Sequence, residues 1–340
     1  MVCSVPLCLC VENPAIPGGA TRRRARVKIY LTGISGFVGS RLAEAWGGTH
    51  QLAGCSRSPV AGLAAEHHAL DLAEEPRRLA DLLEAFRPDW VVHAAAVSQP
   101  QLFARDPQRA RRVNVEAGHW LADWCRRRDR GLIAFSSDTV YPDAALRPAP
   151  AGGWPEETPC APAHQYGRSK AEAEEAILAR LPAALLLRSS LLWGRTRPAD
   201  GGVSGRNSFS HWLLTRLEQD PPAPVFRDNF RHLLAAGTLP GILERLMARA
   251  QEGNAARGPL NLGSADYLSR EDFARLLLRH LGLDEALLRP LDSAEANLPE
   301  PVARELPLDL TRLRDLLGDL PTTAEWLPRE YPLQSVDLTA

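Results

Sequence analysis

The stretch from Val27 to Leu42 constrains this chain most. An apolar run, Val27-Lys28-Ile29-Tyr30-Leu31-Thr32, enters Gly33-Ile34-Ser35-Gly36-Phe37-Val38-Gly39 and continues into Ser40-Arg41-Leu42. This order predicts a strand, a glycine turn and the start of a helix. Without side chains in the turn, backbone N–H groups can approach a pyrophosphate while the positive end of the helix faces the same anion. The spacing Gly33-x-x-Gly36-x-x-Gly39 differs from the G-x-G-x-x-G form, and glycines also serve turns and helix–strand contacts. The strand–turn–helix context is what points to a dinucleotide.

The chain that follows alternates strand and helix patterns. Gln51–Cys55 reads as a second strand leading into Ser56-Arg57-Ser58, and His67–Leu72 as a third with Asp71 at its exit. Leucines 79, 82 and 83, with charges between them, predict an amphipathic helix over Ala73–Phe86. Trp90–Ala96 is a continuous apolar run, the mark of a strand covered on both faces, and its His93 reads as a hydrogen-bonded core residue rather than a catalytic base. The small residues Ala94, Ala95 and Ala96 leave room for a cofactor to lie close. A helix is expected over Arg109–Arg128, and a fifth strand over Gly131–Phe135 that ends in Ser136-Ser137-Asp138. Such alternation predicts an α/β fold, a doubly wound parallel sheet with ligands at the carboxyl ends of its strands. At the end of the second strand an acid would favour NAD; Ser56 and Arg57 without an acid favour NADPH, with NADH still open and Arg57 as an ordinary surface arginine the alternative.

The bulk numbers bound the partners. The chain has 340 residues, a formal net charge of -1 and 24% charged residues, so no basic field argues for nucleic acid and a small molecule is the default ligand. No apolar run approaches the roughly 20 residues that span a bilayer. Residues 1–26 read as a tail: basic residues Arg22-Arg23-Arg24 follow the apolar run instead of preceding it, which is the wrong order for a secretory signal. Cys55, Cys125 and Cys160 are scattered without zinc or C-x-x-C spacing, so reduced thiols in a cytoplasm and no metal site are expected.

Tyr166-Gly167-Arg168-Ser169-Lys170 carries the chemistry. On a helix Tyr166 and Lys170 project from one face, and a nearby ammonium would lower the tyrosine pKa toward the range useful for proton transfer. The pair alone is common in amphipathic helices. Together with the glycine turn and the serine pair after the fifth strand, in that order, it resembles the extended short-chain dehydrogenase/reductases. Phe135-Ser136-Ser137-Asp138-Thr139-Val140-Tyr141 is similar to the group typified by dTDP-4-dehydrorhamnose reductase, with Ser137 in place of the catalytic threonine. The resemblance covers residues 27–325. It implies a Rossmann-type domain over 27–190 and a smaller C-terminal substrate-binding lobe over 191–330, some segments of which return to the first domain, followed by a tail over 331–340.

Carried over by position, the resemblance implies that Gly33, Gly36 and Gly39 hold the pyrophosphate with Phe37 and Val38 beside it. Asp71 and Leu72 would approach the adenine, and Lys170 would grip the nicotinamide ribose. Ser137 would bond the substrate carbonyl while Tyr166 protonates it. Asn114 would shape the helix or a water path, or pack as a buried residue. Asn207 and Phe209 match the family's substrate loop, and Arg227 and Arg231 fall where relatives contact a nucleotide sugar, where they are either diphosphate ligands or surface charges. The family's Pro-Thr pair is replaced by His232-Leu233. Dehydratases of the superfamily carry Asp-Glu where this chain has Asp138-Thr139, so dehydration is disfavoured. Carbonyl reduction on a nucleotide-linked deoxysugar is the expected activity, with an epimerase or a noncatalytic NADP-binding subunit, as in the methionine adenosyltransferase beta subunit, as alternatives. A homodimer is left open.

Overall fold

The computed structural model describes residues 26–58, 62–195, 208–296, 298, 300 and 302–333. Its centre is a sheet of parallel strands: β1 (Lys28–Thr32), β2 (Gln51–Ser56), β3 (Glu66–Ala69), β4 (Trp90–His93), β5 (Gly131–Ser137), β6 (Leu185–Ser189) and β7 (Gly258–Leu262). The spatial order is β7-β6-β5-β4-β1-β2-β3. The chain therefore winds outward from β1 to β3 and restarts beside β1 at β4, and ligands of such sheets bind where the direction reverses.

Helices cover both faces. On one side α1 (Phe37–Trp46) and α6 (Leu239–Gln251) bury Leu42, Ala43, Trp46, Ile242, Leu243 and Leu246 against the sheet. On the other, α2 (Pro76–Phe86), α3 (Ala117–Arg128) and α4 (Gln165–Arg180) bury Leu79, Leu83, Leu121, Cys125 and Ile177. Between α4 and α6 lies α5 (Phe209–Gln219); α7 (Arg270–Leu281) and α8 (Thr323–Glu330) follow. These three helices build a second core around Trp193, Phe209, Phe273, Leu277, Trp326 and Tyr331. The later half of the chain thus contributes to both cores, since β7 closes one sheet edge beside β6 and α6 packs on α1.

Four boundaries differ from the sequence expectations, each for a local reason. The β4 strand stops at His93 because its neighbour β1 stops at Thr32, whose hydroxyl bonds His93 Nδ1 at 2.7 Å and accepts from the Ala95 N–H. Ala94–Ala96 then leave the sheet and pass over the glycine turn. The helix expected over Arg109–Arg128 is interrupted by a π-helical turn at Arg112–Glu116, which carries Asn114. The third strand ends at Ala69 and leaves Leu70–Leu72 as an exit segment. Tyr331, expected in a tail, is buried, and its hydroxyl donates to Ser210 Oγ at 2.8 Å. The tail expected over residues 1–26 lies, except for Arg26, outside the described residues, as do residues 334–340.

One buried carboxylate joins the two cores. Glu330 accepts from Arg41 on α1 at 2.8 Å, from the Gly237 N–H at 2.8 Å and from the Arg195 N–H at 3.2 Å. Removing it leaves the largely buried Arg41 guanidinium with only the longer contact to Glu44 at 3.8 Å, and takes the acceptor from two part-buried N–H groups. Glu330→Ala is expected to destabilise the fold by about 3 kcal/mol, the low end for a broken buried pair because Arg41 keeps some solvent contact, as read from the midpoint of denaturant unfolding.

Candidate active site

Two adjoining chambers lie at the carboxyl ends of the strands. The first, about 600 Å³, is lined by Gly33, Gly36, Phe37, Val38, Ser56, Arg57, Asp71, Leu72, Ala94, Ala95, Ala96, Lys170 and Phe209. The second, about 480 Å³, is lined by Ser137, Asp138, His164, Arg231 and Arg270 among others. Tyr166, Ser98, Ser189, Leu191 and Leu192 line both. Tyr166 therefore stands at the junction.

The glycine turn is shaped by close approach. Gly33 has φ 72°, and a Cβ there would lie 2.8 Å from the Ala95 backbone. A Cβ on Gly39 would lie 2.1 Å from Gly33 O, so any side chain would push α1 off the turn. Gly39 is not among the lining residues of the chamber; it lets the helix seat against the turn. The extended Gly36 precedes the first turn of α1, and neither acid nor side-chain cap competes for that turn's N–H groups. A dinucleotide phosphate fits this cradle.

At the far end of the first chamber Ser56 Oγ donates to Ser58 O at 2.8 Å and contacts His67 Nε2 at 2.8 Å. Arg57 is exposed there without a hydrogen-bond partner among the described residues. Asp71 pairs with Arg109, a chamber residue the sequence reading missed. Burial is the largest single influence and raises the Asp71 carboxyl, but the Arg109 hydrogen bond and charge, the Ala73 N–H and the charge of Arg57 together outweigh it and the net shift is downward, so Asp71 is ionised.

The two residues expected to carry the chemistry, Tyr166 and Lys170, sit on one face of α4. Lys170 Nζ is buried and donates to Phe135 O at 2.8 Å, lying 5.8 Å from the Tyr166 ring centre. Burial pulls the lysine down to about 8, with Glu174 opposing, so it stays largely charged at neutral pH. Tyr166 moves opposite to expectation: burial, with the negative charge of Asp138, raises its pKa. In this structure desolvation and Asp138 outweigh the ammonium, so Tyr166 holds its proton. Asn114, on the π turn, accepts from the Val97 N–H at 2.7 Å and donates to Val97 O at 2.9 Å and Ser169 Oγ at 3.0 Å, tying α4 to the chamber wall.

Two further residues fix this face, and the sequence reading gave neither of them a role. Glu174, one turn beyond Lys170, accepts from Ser136 Oγ and forms a buried pair with Arg188 of β6 at 2.7 Å. Its signal was present as the stripe Tyr166, Lys170, Glu174, and that of Arg188 as a lone charge in an apolar strand. In the second chamber Ser137 Oγ accepts from the Thr139 N–H and hydroxyl, at 3.2 and 2.9 Å, and donates to Asp138 at 3.2 Å. Asp138 also accepts from Ser190 at 2.9 Å and pairs with Arg231 at 3.5 Å, yet its full burial raises its pKa.

Arg231 and Arg270 differ in what their guanidinium groups are free to do. Arg231 lines the chamber, but its Nη1 donates to Phe230 O and Arg304 O and its Nη2 to Ala303 O. Its guanidinium is largely consumed in holding loops. Arg270 at the start of α7, which the sequence reading also gave no role, has Nε on Asn229 Oδ1 at 2.8 Å and its head 5.1 Å from the Phe209 ring centre, with no partner for its Nη groups among the described residues. Burial draws its pKa to about 10, so it is a cation open to the chamber. No sequence pattern distinguished it from other arginines. Arg227 is exposed and paired with Asp292, away from both chambers. Phe209 lines the first chamber, and Asn207 lies outside the described residues.

Comparison with known proteins places this geometry. The sequence model of the RmlD substrate binding domain matches residues 27–327. The chain is 30% identical over 276 residues to a Streptomyces antibioticus protein named "Probable dTDP-4,6-dihydroxy-2-methyloxan-3-one 4-ketoreductase", covering 80% of this chain and 83% of the relative. It is 28% identical to the dTDP-4-dehydrorhamnose reductase of Mycolicibacterium smegmatis, covering 93% of this chain and 88% of the relative. Among solved structures, the dTDP-4-dehydrorhamnose reductase of Bacillus anthracis in complex with NADP superposes with a TM-score of 0.72 at 17% identity, covering 90% of this chain and 99% of the other. At that identity the likeness is one of fold.

The free Arg57 yields a test of the adenosine end. Arg57→Ala is expected to weaken NADPH about tenfold, the loss of one charge-assisted contact, and NADH by less than half as much on the free-energy scale, measured by fluorescence titration. Equal weakening would remove the 2′-phosphate contact.

Proposed function

Because the chain belongs to the RmlD substrate binding domain family, we propose that it is an NADPH-dependent reductase of a keto group on a nucleotide-linked deoxysugar. The observation that carries this reading is the position of Tyr166, with Lys170 on the cofactor side and Ser137 on the other. Bound NADPH supplies the hydride for the carbonyl carbon. The chain's own residues supply the proton, the orientation and the charge.

Tyr166, kept protonated by burial, donates its proton to the carbonyl oxygen. Lys170, held by Phe135 O, keeps further N–H donors for ribose hydroxyls, and its charge stabilises the phenolate left behind. Ser137 turns its hydroxyl from Asp138 to the same carbonyl oxygen, while Thr139 holds the Ser137 oxygen in place. Arg270, with its Nη groups free, meets the anionic part of the substrate. Arg231 orders the wall behind it.

Two outcomes test these roles. Tyr166→Phe is expected to lower kcat by about 10²- to 10⁴-fold in NADPH oxidation with a panel of dTDP-4-keto-6-deoxysugars, while NADPH affinity changes little. Tight NADPH binding by the unaltered chain, with no turnover on any member, would favour a noncatalytic cofactor-binding subunit instead. In the pH profile, the ammonium of Lys170 is present below about 8 and lost above it, so kcat/KM is expected to fall as pH rises through that value. A profile flat to pH 10 would separate turnover from the charge on Lys170.

A further inference from the structure

The residue that opens the catalytic helix is a histidine with one nitrogen bound and one exposed to the second chamber. His164 is the N-cap of α4, in extended backbone, and its Nδ1 accepts the Gly167 N–H at 3.1 Å. An imidazole nitrogen that accepts carries no proton, so in the neutral ring the proton is on Nε2. The ring lies nearly parallel to Tyr166, at 16° with centres 6.3 Å apart, and lines the second chamber. Among the described residues Nε2 has no hydrogen-bond partner, and it is not sealed from solvent. It is thus a donor directed by the cap bond, two residues from the proposed proton donor.

We propose that His164 is a positioning residue with two simultaneous duties: Nδ1 holds the first turn of the helix that carries Tyr166 and Lys170, and Nε2–H donates to an oxygen of the bound substrate in the second chamber. The proposal rests on the reductase reading for the identity of that substrate, a hydroxylated sugar. The two nitrogens are linked, since the cap bond selects the tautomer that makes Nε2 a donor.

The ring's charge environment bears on both duties. Arg168 on its own helix, Arg231, and the carboxylates of Asp138 and Glu300 face it, the last also accepting the Gln165 N–H at 3.1 Å. Burial is the largest influence and holds the ring below its ordinary 6.5, with Glu300 opposing. A second proton would land on Nδ1, break the cap bond and place a cation at the positive end of a helix. The sign follows: with the folded value depressed, the cap's contribution is full above 6.5 and lost as pH falls through the lowered value.

Two variants separate the duties, because asparagine reproduces an acceptor near Nδ1 and glutamine a donor near Nε2. Against the sugar that the unaltered chain reduces, His164→Asn is expected to keep the thermal stability and raise KM about tenfold, the worth of one lost hydrogen bond, with a smaller change in kcat. His164→Gln is expected to keep KM within about threefold while lowering the melting temperature and abolishing its fall as pH drops through the lowered imidazole value. An unchanged KM in His164→Asn would overturn the substrate contact. The tautomer is read without substrate, from 15N shifts of the labelled ring assigned by its absence in His164→Asn: Nε2–H supports the inference and Nδ1–H overturns it. An unaltered chain that reduces no sugar would count against the reductase reading, whereas the tautomer measurement would still decide the bonding of His164.

Discussion

The buried ion pair between Glu174 and Arg188 is the interaction on which the rest of the site depends. It joins α4 to β6 where neither residue has water to fall back on, with the Arg188 guanidinium also bonded to Tyr141 Oη and Glu156 O. A buried pair contributes little net stability, but breaking one partner is costly, so alternative placements of the helix are strongly disfavoured. Because Tyr166, Lys170 and Glu174 follow each other at one helical turn, locking the third also sets the first two. Ser136, at the end of β5, bonds the same carboxylate and brings the strand that bears Ser137 into register with them.

The other constraint is steric. The turn after β1 accepts no Cβ at Gly33 or Gly39, and the alanines after β4 pass within contact distance of it. Close packing of backbone on backbone keeps side chains out of the turn itself, so the first turn of α1 faces the chamber with no acid or side-chain cap competing for its N–H groups. Charge is then graded along the two chambers: Arg57 at the adenosine end, the half-committed lysine in the middle and Arg270 at the far end. Asp138 lies between them, fully buried, and its two neighbouring hydroxyls and Arg231 compensate it. Burial, and secondly the neighbouring Asp138 carboxylate, keep Tyr166 protonated.

Much of this was legible in the chain order. Strand–helix alternation, the glycine turn and the serine pair depend on local patterns of apolarity and backbone freedom, which a sequence carries directly. The small errors arose where a neighbour decided the outcome. Ala94–Ala96 look like strand, but β1 ends at Thr32, whose carbonyl and hydroxyl take the Ala94 and Ala95 N–H groups, and the ladder with β1 goes no further. Asn114 sits in what reads as one continuous helix, yet a π turn redirects its amide toward Val97 and Ser169.

The sequence by itself determined the fold class, the glycine turn and the Tyr166–Lys170 face, because each is written in residues a few positions apart. Only the tertiary structure decided which arginine is available, since Arg231 and Arg270 are equivalent as letters and differ in the carbonyls that surround them. It also decided the sign of the Tyr166 shift, which turns on burial and on a carboxylate 28 positions earlier in the chain. Burial and long-range hydrogen bonding are properties of assembled surfaces, and no local pattern encodes them.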